Sequence, residues 1–315
     1  NMKIKTVAVL GTGVMGGQIA AHLTNAGLKV YAFDINQDIA NSGIEKTKNI
    51  KPNAFYSRKD IDKIKIFNYE DHLDQLKDCD WIIEAISERL DWKKELYDKI
   101  QPFIHHAIIT SNTSGISLKE LTQDMQEDMK SRFFITHFFN PPRYLPLVEL
   151  IRTSYSDEEL LYKTEGFITS ALGKEVVYAK DNPAFIANRI GVFSFMAVLR
   201  HAQNFSLSAD TVDALTGKRV GRPASATFRT LDVVGLDVMA NVVNNIFENA
   251  KDDPWVEIFK LPEWINSLIS DGSLGSKTRK GIYEKRGKDI YVFDPHKGDY
   301  RPSDKTISKE VKTIL

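Results

Sequence analysis

The chain has 315 residues, 42% of them hydrophobic, with 42 Lys plus Arg set against 42 Asp plus Glu. That length accommodates about two domains, each able to bury its own core, and the balanced charge gives no reason to expect nucleic acid or a membrane surface as a partner. A single cysteine, Cys79, excludes an intrachain disulfide and a multi-cysteine metal site, so no metal is expected and the usage fits a cytoplasmic location.

Asn1 ahead of Met2 reads as a tag remnant, and no N-terminal apolar run has signal-peptide length. The apolar strand Val7–Leu10 then enters Gly11-Thr12-Gly13-Val14-Met15-Gly16-Gly17 and a helix. Gly11 permits a tight turn, Gly13 leaves the backbone open to a pyrophosphate, and Gly16 allows helix and strand to pack closely. The free N–H groups of Val14, Met15 and their neighbours at the helix start, with the helix dipole, supply the positive field that the turn otherwise lacks, since it holds no basic residue. A second strand, Lys29–Phe33, ends in Asp34, twenty-one positions after Gly13, where a carboxylate meets ribose hydroxyls and repels a 2′-phosphate. The cofactor expected is NAD rather than NADP, with FAD the main competitor.

Further strands are expected at Trp81–Ile86, Ala107–Thr110, Phe133–Phe139 and Glu175–Ala179, with amphipathic segments such as Arg89–Ile100 between several of them. This alternation predicts an α/β fold, a Rossmann-type doubly wound, mostly parallel sheet whose ligands lie beyond the carboxyl ends of the strands. Cys79 reads as a small residue leading into a buried strand. Near Lys180-Asp181-Asn182-Pro183 the pattern turns helical: Ala184–Phe205, Ser208–Lys218 with Ser208 as N-cap, Arg229–Ala250 and Pro262–Ser270. The predicted domains are residues 2–181 for dinucleotide binding and 182–284 as an all-helical C-terminal domain, with 285–315 a tail, linker or hairpin. The apolar stretch Phe185–Leu199 is interrupted by Asn188 and Arg189 and is too short to span a membrane.

Three segments carry polar groups at strand ends. Ser111-Asn112-Thr113-Ser114-Gly115 follows one strand, His137-Phe138-Phe139-Asn140-Pro141-Pro142 closes another, and Leu147-Val148-Glu149-Leu150-Ile151 places a carboxylate in an apolar run. Buried acids seldom go unpaired. His22, His72, His105, His106, His201 and His296 read as structural or solvent-facing.

The chain resembles the L-3-hydroxyacyl-CoA dehydrogenase family, whose hallmark is His-Phe-Phe-Asn-Pro followed twelve residues after the His by a Glu, the separation of His137 and Glu149. The glycine turn, Glu84-Ala85-Ile86 before Glu88, the Asn-Thr-Ser loop, Asn182 to Arg189 and Gly275-Ser276-Lys277-Thr278 fall in the family's order. The tail is most similar to bacterial multifunctional fatty-acid β-oxidation proteins, in which a hydratase module follows. The resemblance implies reversible NAD-dependent oxidation of 3-hydroxyacyl-CoA to 3-ketoacyl-CoA. His137 would be the general base, oriented by Glu149. Ser114 would bond the substrate oxygen and Asn188 would orient the substrate. Asn140 would lie near the nicotinamide, and Glu88, Lys93 and Lys277 on the cofactor side. It also implies a homodimer through the helical domain. Departures from the family pattern stand at Gly115, at Arg279 and in Gly221–Phe228. The competing readings are a dehydrogenase of a small hydroxy acid and a non-catalytic NAD-binding protein.

Overall fold

The computed structural model describes residues 3–304, 306, 307 and 309–314, and the chain divides between Phe185 and Ile186 into two compact units. The first unit runs β1 (Thr6–Leu10), α1 (Val14–Asn25), β2 (Lys29–Asp34), α2 (Gln37–Lys48), β3 (Lys65–Asn68), β4 (Trp81–Glu84) and α3 (Leu90–Ile100). It continues with β5 (Ile108–Ser111), α4 (Leu118–Thr122), α5 (Glu127–Ser131), β6 (Phe133–Phe138), β7 (Leu147–Ile151), α6 (Glu158–Leu172) and β8 (Glu175–Ala179). The strands form one sheet in the order β3-β2-β1-β4-β5-β6-β7-β8. Every pairing is parallel except β6 with β7.

Strand side chains alternate between faces, and both faces are buried. Val7, Val9, Trp81, Ile83 and Phe134 pack with α1 and α6 through Ile19, Leu23 and Ile168. Ala8, Leu10, Ile82, Ile109 and Phe133 pack on the opposite face with Leu96, Tyr97 and Ile100 of α3. Burial of both faces explains why these strands read as continuous apolar runs. Cys79 is buried just ahead of β4.

The second unit holds α7 (Ala187–Asn204), α8 (Ala209–Thr216), α9 (Phe228–Val234), α10 (Leu236–Asn249) and α11 (Glu263–Ser270). It ends in an antiparallel sheet of β9 (Tyr283–Arg286), β10 (Asp289–Asp294) and β11 (Asp299–Pro302), followed by α12 (Lys309–Ile314). This unit is therefore helical but not all-helical: the stretch expected as a tail, linker or hairpin carries most of a small sheet. Arg301 anchors that sheet to α8, each terminal guanidinium nitrogen lying 2.9 Å from an Asp210 oxygen.

Two helix boundaries differ from expectation for backbone reasons. Ala184 and Phe185 take φ of 60° and 50°, so α7 begins only at Ala187. The single helix expected over 229–250 is two, α9 and α10, because Gly235 sits between them at φ 102°. No helix among the described residues is long and apolar enough to cross a membrane.

Candidate active site

The glycine turn is built as close packing demands. Gly11 has φ of 100°, and a Cβ there would lie 2.7 Å from the Ala85 carbonyl oxygen at the end of the neighbouring strand. A Cβ on Gly16 would come within 1.9 Å of the Gly11 carbonyl oxygen. Gly13 differs: it caps α1, and a Cβ there would meet nothing within 4 Å. Of the three motif glycines, only this one faces open space. Val14 is exposed and Met15 half-buried.

Asp34 ends β2 beside this turn. One carboxylate oxygen accepts from Thr12 N at 2.8 Å and Thr12 Oγ1 at 2.7 Å, and the other accepts from Ile35 N at 2.8 Å. A cleft of about 450 Å³ opens here, lined by Gly11, Gly13, Asp34, Ile86 and Trp92 among others. An uncapped helix start, a glycine without a Cβ and a carboxylate at the rim fit a dinucleotide. Thr12 escaped the sequence reading, since it occupies a variable place in the glycine motif.

Two strands along the sheet from β4, β6 carries His137 beside Glu149 of β7. The two residues are direct partners in the antiparallel register, which explains their twelve-residue spacing: the chain leaves β6 and returns antiparallel to the facing position. His137 Nδ1 lies 2.9 Å from Glu149 Oε1, with both side chains buried. The rings of Phe139 and Phe185 meet the imidazole edge-on at 4.5 and 5.6 Å.

Asn140, just past β6, is linked to α1: Gln18 Nε2 donates to Asn140 Oδ1 at 3.0 Å and to Val14 O at 2.9 Å. The helix of the glycine turn and the segment following His137 are therefore in contact. The loop bearing Ser114 is tied to β6 by Phe138 N, which donates to Asn112 Oδ1 at 2.9 Å.

Behind these strand ends lies a charged group, in which the family resemblance implies a role for Glu88 and Lys93 and none for Glu84. Lys93 has no solvent exposure, and its Nζ sits 2.5 Å from Glu84 Oε2, 3.2 Å from Ile86 O and 3.4 Å from Glu88 Oε1. Glu84 is equally buried and also accepts from Ser111 Oγ at 2.7 Å, Ile86 N at 2.9 Å and the Tyr97 hydroxyl. In the second unit Asn188 lies half-buried in the first turn of α7, and Lys277 Nζ pairs with both Asp237 oxygens at 2.6 and 2.7 Å. No group of three or more metal-ligating side chains occurs among the described residues.

Residues 6–182 match the family model described as 3-hydroxyacyl-CoA dehydrogenase, NAD binding domain, and residues 185–285 match its C-terminal domain. The chain belongs to the 3-hydroxyacyl-CoA dehydrogenase family. Within it, a probable 3-hydroxyacyl-CoA dehydrogenase of Deinococcus radiodurans is 42% identical over 292 residues, covering 90% of this chain and 84% of that protein. A protein of the same description from Bacillus subtilis is 40% identical over 314 residues, covering 93% of this chain, which spans only 40% of that relative's length. Among solved structures, Mycobacterium tuberculosis FadB2 superposes with a TM-score of 0.79 at 27% identity, covering 90% of this chain and 99% of that one.

Proposed function

We propose that the chain oxidises L-3-hydroxyacyl-CoA to 3-ketoacyl-CoA reversibly with NAD, in fatty-acid β-oxidation and in the cytoplasm. The observation that carries this reading is the buried His137–Glu149 pair at a strand end, with an adjoining segment in contact with the helix of the glycine turn. An ionised carboxylate only accepts hydrogen bonds, so Glu149 holds the proton on Nδ1 and leaves the Nε2 lone pair to act. Nε2 then takes the proton of the C3 hydroxyl, and Glu149 stabilises the imidazolium that results. Bound NAD supplies the two-electron acceptor. Gly11, Gly13 and Gly16 with the first turn of α1 would hold its pyrophosphate, and Asp34 its ribose. Asn140, Glu88, Lys93 and Lys277 belong to the cofactor side in this reading. Ser114 would donate to the substrate oxygen and Asn188 would orient the substrate.

A homodimer through the helical unit is part of the proposal. Ile190, Val233, Val234 and Val238 leave apolar side chains exposed on α7, α9 and α10.

The test is loss of NADH absorbance on adding acetoacetyl-CoA, followed by longer 3-ketoacyl-CoA substrates. His137→Ala is expected to slow turnover by about 10² to 10⁴. An unchanged rate in that variant would remove His137 from the mechanism, and no turnover of any acyl-CoA by the parent protein would refute the reaction.

A further inference from the structure

The loop after β5 is held from outside by two carboxylates. Glu84 takes Ser111, the last residue of β5, through its Oγ. Glu88 takes the two residues that flank Ser114, with Oε2 accepting from Thr113 Oγ1 at 2.8 Å and from Gly115 N at 3.2 Å. Glu88 is 44% exposed, and an exposed carboxylate ordinarily wanders. This one faces the wholly buried Lys93 ammonium at 3.4 Å through its other oxygen, and Glu84 fixes that ammonium in turn. A rigid chain of charges thus runs from the sheet to both sides of one serine.

We propose that Glu88 is a positioning residue for Ser114: it clamps the Thr113 hydroxyl before the serine and the Gly115 amide after it, so that the Ser114 hydroxyl meets the substrate oxygen already oriented, and Lys93 serves to hold Glu88. The inference rests on the reading of Ser114 as the substrate-contacting hydroxyl. It gives Glu88 a task separate from any contact with the coenzyme. Fixing a polar group ahead of reaction removes reorganisation that would otherwise slow the chemical step.

The test is a double-mutant cycle on the purified protein with Glu88→Ala, Ser114→Ala and both together. Turnover and KM are measured for acetoacetyl-CoA with NADH, and NADH affinity separately by fluorescence titration. Glu88→Ala is expected to lower kcat by about 10- to 100-fold, the range for a misplaced active-site group. The NADH dissociation constant should rise by much less than kcat falls, and the double variant should be no slower than the slower single one. Multiplying losses, or a dissociation constant that rises in step with the loss of rate, would overturn the proposal. If Glu88→Ala does not fold, Glu88→Gln, which loses the charge that Lys93 holds in place, enters the same cycle, where coupling supports the proposal and additivity overturns it. An unchanged rate in Ser114→Ala alone would overturn it by another route, by removing the serine from the substrate site.

Discussion

Glu84 in the first unit and Asp232 in the second are both buried carboxylates that organise a bend of the chain, yet their charges are met by different means. Glu84 has a cation 2.5 Å away and hydroxyl and backbone donors besides. Asp232 accepts from Ile282 N and Tyr283 N, both at 2.8 Å. Burial pushes its carboxyl up to about 6 and the nearby Asp213 charge adds to this, while the two backbone donors and Arg229 pull the other way. The lesson is that a buried acid faced by a lysine has its charge balanced on the spot, whereas one held chiefly by backbone dipoles, as Asp232 is, becomes a proton-sensitive joint.

The sharpest way to break the comparison is to take the cation from the first site. Lys93→Met leaves Glu84 buried with no counter-charge, which should cost about 3–5 kcal/mol of stability. Adding Glu84→Gln should restore part of it, because the double variant buries no charge. Urea denaturation of both variants measures this. A Lys93→Met protein as stable as the parent would show that the hydroxyl and backbone donors suffice, and the two sites would then be alike.

The second unit is tested with protons. The folded-state pKa of Asp232, about 6, lies above the ordinary carboxyl value of 3.8, so ionisation favours the unfolded chain. Its contribution to stability therefore falls as pH rises from 3.8 towards 6, and the penalty is fully present above that. His22 in the first unit has the opposite sign. Burial and the Lys174 charge lower it from 6.5 to about 4, so its stabilising contribution is complete above 6.5 and is lost as pH falls through 4. Melting temperatures between pH 4 and 6 should rise more steeply with pH in Asp232→Asn than in the parent, because the opposing Asp232 contribution is removed and that of His22 remains. Parallel pH profiles in parent and variant would remove Asp232 as the sensitive joint.

The contrast also shows what a sequence displays. The glycine turn, Asp34 and the His137–Glu149 spacing were legible because each is a local pattern imposed by geometry: a turn, a strand end, an antiparallel register. Lys93 was legible only through the family resemblance, since a lysine in an amphipathic helix reads as a solvated face and nothing local shows that Glu84 awaits it. β3 was missed because an edge strand of four residues with Lys65 and Asn68 at its ends lacks the apolar run of its neighbours. The break at Gly235 was missed because one glycine in a helical pattern is ordinarily tolerated. Asp232 acquires its setting from backbone donors fifty residues along the chain, a separation at which no spacing rule operates.

The smallest stability effect is expected at Gly13, and glycine packing in the two regions explains why. Around Asp232, a Cβ on Gly281 would approach Asp232 Oδ1 to 2.3 Å, and one on Gly275 would approach the Asp232 carbonyl oxygen to 2.2 Å. Those glycines serve the packing of the chain against itself, as Gly16 does in the first unit. At Gly13 the backbone has φ of −67°, a value any residue adopts, and the space beyond is open. Gly13→Ala should therefore cost under about 1 kcal/mol, the scale of exchanging one helix N-cap residue for a poorer one. On the proposed reading, the added methyl occupies the approach of the coenzyme pyrophosphate, so NADH affinity should fall by about tenfold or more, equivalent to at least ~1.4 kcal/mol of binding. Denaturation and fluorescence titration of the same variant separate the two effects. A marked loss of stability would make Gly13 a packing glycine like Gly16, Gly275 and Gly281, while intact NADH binding would remove it from the pyrophosphate site.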